Sequence, residues 1–586
     1  MHSGLPFEEI QGQPLTSEQR SYLEGLFAGM ANRGLRFSDM AAAPVAAPCS
    51  PSADDLIFEE RVKREIHPLD AFPLLLEHAA GNQAPERENI FRFKWNGLFY
   101  LTPQKEAFMA RLRIPAGQLK TFQWREVARI AQDLTTGYVQ VTTRANLQIR
   151  LIEPKDAPEV LRRIQCVGLH TRGAGADNIR NITANPTAGI DPYELVDTAP
   201  LCHQLAQIII NDRAFYDLPR KFNVAFDGGG LIGTVEDTND IGLKAVRLEN
   251  AAGDLAAGIY FRIKLGGATG HQAFANDAGV LVETAAILKV VLAMIRVYIA
   301  HGNRTDRKKA RLKHLLELWG IERFLTETES LLGTSLRRAP VDSEAGETSS
   351  HGMFPEVAHS HVGIFPQRQA GLNYVGVAMP VGQITPRQML RLADIADHYG
   401  SGEIRLTVWQ NLILPNVPDA YVETVKKALE KMGLHWKQSN LRSGIVACTG
   451  NSYCKFASSD TKAHALELAD YLDAEFELDH PINIHVTGCP NSCAQHYMGD
   501  VGLLGAKVKV SGETVEGYHV FVGGGFGKSQ AIGRQIFQGI SFQQLKPTLH
   551  KMFAGYLKNR EPGEKFQNFT QRHDLNTLQV LFSGEP

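Results

Sequence analysis

Residues 113–119, Arg-Ile-Pro-Ala-Gly-Gln-Leu, recur in similar form as residues 378–384, Ala-Met-Pro-Val-Gly-Gln-Ile. At the same spacing, residues 142–147 (Thr-Thr-Arg-Ala-Asn-Leu) correspond to residues 407–412 (Thr-Val-Trp-Gln-Asn-Leu). About 14 of roughly 57 aligned positions are identical, whereas chance would give about three or four. The chain therefore contains an internal duplication.

Each copy of the duplication reads as a strand, a Pro–Gly turn, a helix, a second strand, a loop and a second helix. The predicted helices cover 121–134 and 157–167 in the first copy, and 385–398 and 420–432 in the second. This alternation is typical of an α+β fold built from ferredoxin-like units. Two such units can pack as a pseudo-twofold pair, and a longer α/β segment follows each of them.

The composition is that of a globular protein without an overall charge bias. The 586 residues are 44% hydrophobic and 21% charged, and the formal net charge is −2, so we expect neither nucleic-acid nor membrane binding. Residues 280–300 are the most apolar long stretch, and their charged residues favour a buried helix over a membrane span. Because the N-terminus has no basic and apolar leader, we expect a reducing, cytoplasmic location.

Four of the seven cysteines form two closely spaced pairs. Five residues separate Cys448 from Cys454, and three separate Cys489 from Cys493. Four thiolates from two loops can hold an iron–sulfur cluster. Two alternatives remain open at this point: a structural zinc ion, whose sites more often begin with C-x2-C or C-x4-C, and a chance grouping of ordinary buried cysteines.

Cations distinguish the first copy from the second. Arg111 and Arg144 correspond to Gly376 and Trp409 in the second copy. Further cations stand in three short runs, and they are Arg180, Arg220, Lys221, Arg304, Arg307 and Arg311. Together with the cysteines they predict multi-electron reduction of an anion, although single arginines are often surface residues and the run at 302–311 also suits a solvated helix start.

Several motifs together resemble one known family. The cysteine loops, Cys-Thr-Gly-Asn-Ser-Tyr-Cys at 448–454 and Thr-Gly-Cys-Pro-Asn-Ser-Cys at 487–493, are similar to those of the sirohaem-dependent nitrite and sulfite reductases. So are Leu-Pro-Arg-Lys at 218–221, Gly-Asn-Arg-Thr-Asp-Arg at 302–307 and the duplication itself. The resemblance covers about residues 90–575 and is strongest to the ferredoxin-dependent assimilatory branch.

The resemblance implies two cofactors and a set of residues that contact them. A [4Fe–4S] cluster would be held by Cys448, Cys454, Cys489 and Cys493, and Cys493 would also bridge the cluster to the iron of sirohaem. The predicted contacts with the carboxylate-rich sirohaem are Arg144, Gln148, Arg220, Arg304, Gln410 and Asn491. The predicted substrate contacts are Arg111, Arg180, Lys221 and Asn223.

The same resemblance implies six-electron reduction of nitrite to ammonium. Relatives that reduce sulfite usually have Lys-x-Lys where this chain has Lys221-Phe-Asn223, and one cation fewer suits a singly charged anion. Sulfite reduction on the same scaffold is the alternative, and a non-catalytic metal-binding protein is a further one. Phe99 and Ala176 stand where some sulfite-reducing relatives have a Tyr–Cys crosslink, so none is expected.

The electron donor is expected to be a separate protein. The run at 522–529, Val-Gly-Gly-Gly-Phe-Gly-Lys-Ser, lacks the first glycine of a phosphate-binding loop and predicts a strand end and a sharp turn. We therefore expect ferredoxin as the donor, attracted by basic patches such as 308–313 or 558–565, and a monomeric enzyme.

The sequence predicts six consecutive parts. They are an N-terminal helical extension, with a helix at 13–40 and a linker at 41–55 (1–85), a first ferredoxin-like repeat (86–168), a first α/β domain that binds sirohaem (169–335), a linker (336–360), a second ferredoxin-like repeat (361–434), and a second α/β domain that carries the cluster (435–586).

Overall fold

The computed structural model describes residues 56–101, 106–135, 137–251, 255–339 and 361–583, and three two-residue strands, Glu9–Ile10, Gln13–Pro14 and Glu347–Thr348. Contacts divide the chain into two compact units, residues 1–52 and residues 53–586.

The first unit contains one short antiparallel pairing, between Glu9–Ile10 and Gln13–Pro14. The helix predicted over 13–40 is therefore wrong at its first two positions. The rest of that helix and the predicted linker at 41–55 lie outside the described residues.

The two ferredoxin-like repeats have the predicted helices. The helices begin and end within about two residues of the predictions, and they are Thr121–Leu134 and Ala157–Cys166 in the first repeat and Pro386–Tyr399 and Val422–Glu430 in the second. Equivalent residues meet where the first helices of the two repeats pack together, because the indole of Trp124 donates to the carbonyl of Met389 at 2.9 Å. The duplication is therefore also a pseudo-symmetric packing.

Each repeat contributes one strand to the sheet of the other. Both sheets are antiparallel and have five strands. The first has the order Gln383–Ile384, Val139–Val141, Leu147–Ile152, Phe108–Arg111 and Leu98–Tyr100, and the second has the order Gly363–Pro366, Leu372–Val377, Leu412–Pro418, Glu403–Leu406 and Gln118–Lys120. The exchanged strands, Gln118–Lys120 and Gln383–Ile384, directly follow the two Pro–Gly turns, so the turns send the chain across to the other repeat.

The two Pro–Gly turns require glycine at their last position. Gly117 and Gly382 have φ angles of +70° and +72°. A Cβ atom on Gly117 would stand 2.7 Å from the carbonyl oxygen of Leu406, and one on Gly382 would stand 2.6 Å from that of Val141. The turns therefore contact the backbone of the opposite repeat closely, and only glycine, which has no side chain, fits at their last position.

The first α/β segment is built on a six-stranded sheet. Its main path is Arg337–Arg338, Asn276–Glu283, Gly258–Leu265, Ile241–Leu248 and Glu347–Thr348, and Val224–Asp227 pairs in parallel with Ile241–Leu248. The helices of this segment are Ala199–Asn211, Ile287–His301 and Leu312–Leu332.

Two predictions for this segment are wrong. The helix predicted over 280–300 begins only at Ile287, because the apolar residues before it belong to the strand Asn276–Glu283. The linker predicted at 336–360 is wrong at 337–338 and at 347–348, which pair as short strands of this sheet, and residues 340–346 and 349–360 lie outside the described residues. Buried strands and buried helices share apolar composition, which explains the first error.

The second α/β segment carries the cysteine loops at the end of a parallel pair. Its sheet has the order Ile445–Ala447, Ile484–Thr487, Val501–Val510, Glu513–Val522 and Arg534–Ser541, and its helices are Thr461–Glu475, Phe542–Asn559, Phe566–Arg572 and Leu575–Ser583. Cys448 and Cys489 follow the carboxyl ends of the first two strands, which run parallel. Parallel strands bring these ends to one edge of the sheet, so the two loops meet there.

Three further helices precede the first repeat, and they are Phe58–Glu65, Phe72–Ala80 and Arg87–Arg92. The strand ending at Val522 is followed by Gly523 with a φ of +77°, which confirms the predicted strand end and sharp turn. No helix among the described residues is long and apolar enough to cross a membrane.

Candidate active site

The two cysteine loops lie against each other. The backbone N–H of Gly488 donates to the sulfur of Cys448 at 3.2 Å, and the N–H of Cys448 donates to the carbonyl of Val486 at 3.0 Å. Burial raises the pKa of Cys489 to about 11, and the other three cysteines of the set add to the rise. The charges of the other three thiols therefore affect the pKa of Cys489, so the four side chains lie near one another.

The donor set suits a cluster better than a single ion. Among the described residues, no three His, Cys, Asp or Glu side chains converge closely enough to hold one metal ion. A [4Fe–4S] cluster takes one cysteine on each of four irons, so its ligands stand apart around the cube. Four cysteines on two adjoining loops fit that requirement.

Cys493 lies at the exposed end of this set, where it approaches the predicted cations. Its backbone carbonyl accepts a hydrogen bond from the hydroxyl of Thr143 at 3.1 Å. Burial lowers the pKa of Arg111, of Arg144 to about 10, and of Lys221 to about 7, and the thiolate of Cys493 opposes the shift in all three. Cys493 is therefore the cysteine of the set that lies close to these cations. Arg111, Arg144 and Lys221, together with Arg180 and Asn223, are called the cation pocket below.

Adjacent chain segments bring Arg180 beside Lys221 and Asn223. The N–H of Arg180 donates to the carbonyl of Phe222 at 2.8 Å, and the N–H of Phe222 donates to the carbonyl of Asn178 at 3.0 Å. This short parallel pairing lies next to the strand Val224–Asp227. Residues far apart in sequence are therefore held at one end of the first α/β sheet.

Arg111 and Arg180 share one backbone acceptor. Their guanidinium groups donate to the carbonyl oxygen of Ala174 at 3.4 Å and 2.5 Å, and Arg180 also reaches the carbonyl of Ala176 at 2.8 Å. Burial lowers the pKa of Arg180 well below its usual value, and the charge of Arg111 lowers it further. Two like charges held close together indicate a place for an anion.

Asn223 leaves a buried polar atom free. The side chain is 3% exposed, and its Oδ1 has no hydrogen-bond partner among the described residues. The backbone N–H of the same residue donates to Asp240 Oδ2 at 2.9 Å, which fixes its position. An unpaired buried amide is costly, so this side chain is available to a ligand.

Two buried aspartates hold further arginines around the pocket. Arg307 makes two 2.8 Å bonds to Asp177, and Arg311 bonds to Asp240 at 2.8 Å and 3.1 Å. Arg220 lies 3.8 Å from Asp177. The interpretation of the 302–311 run as a solvated face is therefore wrong for Arg307 and Arg311, which are ion-paired.

Arg304 is the predicted cofactor contact that the structure does not bring into this pocket. Its guanidinium bonds to Glu60 at 2.9 Å, to the carboxylate of Asp217 at 3.2 Å and to the carbonyls of Asp217 and Ile299. Most of its donors are therefore occupied, and these contacts favour a structural ion pair over the predicted contact with sirohaem.

The remaining predicted cofactor contacts lie beside the cysteine loops. The Arg144 guanidinium donates to Asn239 Oδ1 at 2.7 Å. Gln148 accepts from Arg150, and Gln410 pairs with the backbone of Ala447, the residue before Cys448, through two 3.0 Å bonds. Asn491 is exposed within the second cysteine loop. The two glutamines therefore hydrogen-bond to other groups of the protein, and their direct contact with sirohaem remains a prediction.

Sequence reasoning missed Arg150, which is 4% exposed and bonds to Thr449 between the first two cysteines at 2.7 Å. The alternation of Gln148 and Arg150 with apolar residues in the strand Leu147–Ile152 could have indicated that both face one polar site.

The positions equivalent to the crosslink of some relatives lie close together. The ring of Phe99 stacks under the Arg111 guanidinium at 4.5 Å, and a Cβ on Gly175 would stand 2.7 Å from that ring. Ala176 is buried next to Gly175. Phenylalanine and alanine offer neither a phenol oxygen nor a sulfur, so no Tyr–Cys bond can form here.

Comparison with protein families gives two matches that together cover most of the chain. The family described as nitrite and sulphite reductase 4Fe-4S domain matches residues 175–336 and 438–583. The nitrite/sulfite reductase ferredoxin-like half domain matches residues 101–166 and 365–432. The chain belongs to the nitrite and sulfite reductase family. Sirohaem and a [4Fe–4S] cluster are the cofactors of this family, and the four-cysteine set and the cation pocket fit them.

Curated relatives and one solved structure agree with this membership. A ferredoxin–nitrite reductase of Synechococcus elongatus is 36% identical over 79% of this chain and 88% of its own length. An assimilatory ferredoxin-dependent nitrite reductase of Haloferax mediterranei is 34% identical over 83% of this chain and 86% of its own length. The structure of the Mycobacterium tuberculosis NirA protein superimposes with a TM-score of 0.81 at 28% identity, over 89% of this chain and 97% of that one.

Proposed function

We propose that this protein reduces nitrite to ammonium, using six electrons from ferredoxin. The observation that supports nitrite is the combination of the half-buried ammonium of Lys221 with the buried, unpaired amide of Asn223, in the same group of residues as Arg111 and Arg180. The curated relatives named above are called nitrite reductases, which supports the same substrate.

Charge explains why this pocket suits nitrite better than sulfite. Sulfite carries up to two negative charges near neutral pH, whereas nitrite carries one. A neutral amide at Asn223 in place of a second ammonium leaves one positive charge fewer to balance. Arg111 and Arg180 stay protonated in spite of burial and would hold the oxygens of the bound anion.

The reaction requires eight protons, because nitrite, six electrons and eight protons give ammonium and two waters. When bound, sirohaem would supply an iron that accepts the anion, and the cluster held by the four cysteines would supply electrons one at a time. Lys221 is the proposed proton donor, since burial and neighbouring Arg311 lower its pKa to about 7. An ammonium with a pKa near the working pH gives up and regains a proton readily.

The proposed electron donor is ferredoxin, which has to dock on a surface near the cluster to transfer electrons. Lys455 and Phe456 directly follow Cys454, Lys455 is exposed, and Phe456 is 62% exposed. Their position supports electron transfer there from an acidic carrier more strongly than the patch at 558–565. In that patch, Arg560 is already paired with Asp479, and Glu564 adds a negative charge that pairs with Arg572. Monomeric state and cytoplasmic location remain predictions.

The test is a steady-state assay of the purified holoenzyme with nitrite and sulfite side by side, using reduced viologen as donor. We expect nitrite to have the larger kcat/KM and ammonium to be the product. A larger kcat/KM for sulfite would assign the enzyme to sulfite reduction. A colourless protein without acid-labile sulfide would favour the zinc alternative.

A further inference from the structure

Arg150 is held in one orientation by two glutamines of its own repeat. Its Nε donates to Gln140 Oε1 at 2.7 Å, and one Nη donates to Gln148 Oε1 at 2.5 Å. All three side chains are at least nine-tenths buried. Contacts within the first repeat therefore hold the guanidinium in place, independently of its contacts with the cysteine loop.

The other contacts of Arg150 are with the loop between Cys448 and Cys454. Arg150 donates to the hydroxyl of Thr449, which follows Cys448, at 2.7 Å. Its guanidinium also lies 5.4 Å from the ring centre of Tyr453, which precedes Cys454. Arg150, a buried cation of the first repeat, therefore contacts residues next to both ends of this cysteine loop of the second α/β segment.

A second buried cation contacts the start of the same loop. Lys462 is 6% exposed, and its ammonium donates to the carbonyls of Val381 and Ala447. Ala447 directly precedes Cys448. The loop therefore lies between two positive charges that come from different segments of the chain.

Neither cation forms an ion pair with a carboxylate in the described part of the chain. Among the other deeply buried arginines, Arg311 pairs with Asp240 and Arg405 pairs with Glu403. Arg113, in contrast, donates only to backbone carbonyls among the described residues. A buried charge without a counter-charge costs several kcal/mol, on the order of the total stability of many domains. A negative charge bound next to Arg150 and Lys462 would offset this cost, and among the described residues no carboxylate supplies it through an ion pair.

The thiolates of the cysteine loop are the charges within reach. Burial lowers the pKa of Arg150 to about 10, while Tyr138, Tyr453 and, to a smaller extent, Cys454 act in the opposite direction. Burial likewise lowers the pKa of Lys462 to about 7, while Cys448 and Asp460 act in the opposite direction. Asp460 also accepts from the N–H of Ala463 at the start of the helix, at 3.4 Å.

We propose that Arg150 and Lys462 are the counter-charges of the iron–sulfur cluster and raise its reduction potential. The inference rests on the cluster of the family and does not depend on which anion the enzyme reduces. Reduction adds one negative charge to the cluster, and a fixed positive charge in a low-dielectric site stabilises that form more than the oxidised one. Arg150 and Lys462 are positioning and electrostatic residues, because neither touches the substrate pocket.

The duplication agrees with this assignment. Arg150 corresponds to Pro415 in the second repeat, and Gln148 corresponds to Ile413. The other support of Arg150, Gln140, corresponds to Arg405. The second repeat therefore has no cation at the position of Arg150, and the two repeats differ at all three positions.

The test measures the cluster directly, by redox titration of the purified holoenzyme followed by electron paramagnetic resonance. We expect Arg150→Gln to lower the equilibrium constant for one-electron reduction of the cluster at least tenfold, which equals a negative shift of about 59 mV. Lys462→Gln should shift the potential in the same direction. Arg405→Gln is the matched control, because it removes a buried arginine that has a carboxylate partner and no contact with the cysteine loops.

Arg150→Lys separates charge from packing. It keeps the positive charge and loses the forked hydrogen bonds, so a potential near that of the unchanged protein supports the proposal. Cluster loss in Arg150→Gln but not in Arg150→Lys, measured as iron and acid-labile sulfide, also supports it. Unshifted potentials in both Arg150→Gln and Lys462→Gln, or equal cluster loss in the two Arg150 variants, would overturn it.

Discussion

At the scale of single residues, the candidate site is defined by how few of its charges are neutralised. Arg307 and Arg311 have buried carboxylate partners, whereas Arg111 and Arg180 donate to backbone carbonyls only among the described residues. Carbonyls satisfy hydrogen bonds but leave the charge uncompensated. An anionic ligand therefore gains affinity from those two arginines and from Lys221.

Lys221→Met tests the proton donor. Loss of a general acid typically costs 10²- to 10⁴-fold in rate, so we expect kcat with nitrite to fall by at least about 100-fold. The visible spectrum should show that sirohaem is still bound, because the substitution removes no predicted cofactor contact. Full activity of this variant would rule out the proposed role.

The pH dependence of turnover gives a second test of Lys221. Because the pKa of this ammonium is lowered to about 7, the proton-carrying form predominates below that pH and is lost above it. We therefore expect kcat to fall as pH rises through this range, and Lys221→Met to abolish this limb of the profile. The limb should persist unchanged if another group donates the proton.

Asn223→Lys tests the charge argument for substrate choice. A second ammonium would add one positive charge beside Lys221, which favours the more highly charged anion. We expect the ratio of kcat/KM for nitrite to that for sulfite to fall by about tenfold or more in viologen assays. An unchanged ratio would remove the basis for assigning nitrite from this residue.

At the scale of elements, the Pro–Gly turns decide how the repeats interlock. Gly382 combines a left-handed backbone with a close approach to Val141. Gly512, at a hairpin tip, has a φ of +89°, but a Cβ added there would meet no atom within 4 Å. A comparison of substitutions at these two glycines therefore separates the cost of backbone strain from the cost of a steric clash.

Gly382→Ala should destabilise the protein more than Gly512→Ala. Both substitutions place alanine in the left-handed region, at a cost of about 1–2 kcal/mol. Only Gly382→Ala also forces a methyl group to within 2.6 Å of a backbone oxygen. Thermal unfolding of the two holoenzymes measures the difference, and equal shifts in midpoint would contradict a tight contact between the repeats.

Much of the element pattern could be predicted from the sequence, because the duplication supplies each pattern twice. The helices at 121–134 and 386–399 confirm this. The strand at 276–283 could not be separated from the helix that follows it, since both are apolar, and the reciprocal strand exchange has no sequence signal. Arg150 and the ion pair of Arg304 with Glu60 also depend on tertiary contacts between distant segments.

At the scale of the whole molecule, the proposed contact with ferredoxin is the surface next to Cys454. Lys455→Glu should raise the KM for ferredoxin several-fold and leave viologen-driven turnover unchanged, because it reverses an exposed charge at the proposed contact. Lys558→Glu is the control, since Lys558 is also exposed but lies in 558–565, one of the two basic patches predicted from the sequence. If only Lys558→Glu weakened the use of ferredoxin, the contact would lie at 558–565.

The exchange of Gln118–Lys120 and Gln383–Ile384 has an evolutionary consequence. Two identical ancestral chains that traded this strand would have formed an obligate homodimer with two equal clefts. Fusion into one polypeptide would then have allowed each half to change alone, one towards arginines and the other towards sulfur ligands. An isolated half would leave unpaired the sheet edge that the exchanged strand now covers, unless a second copy supplied that strand.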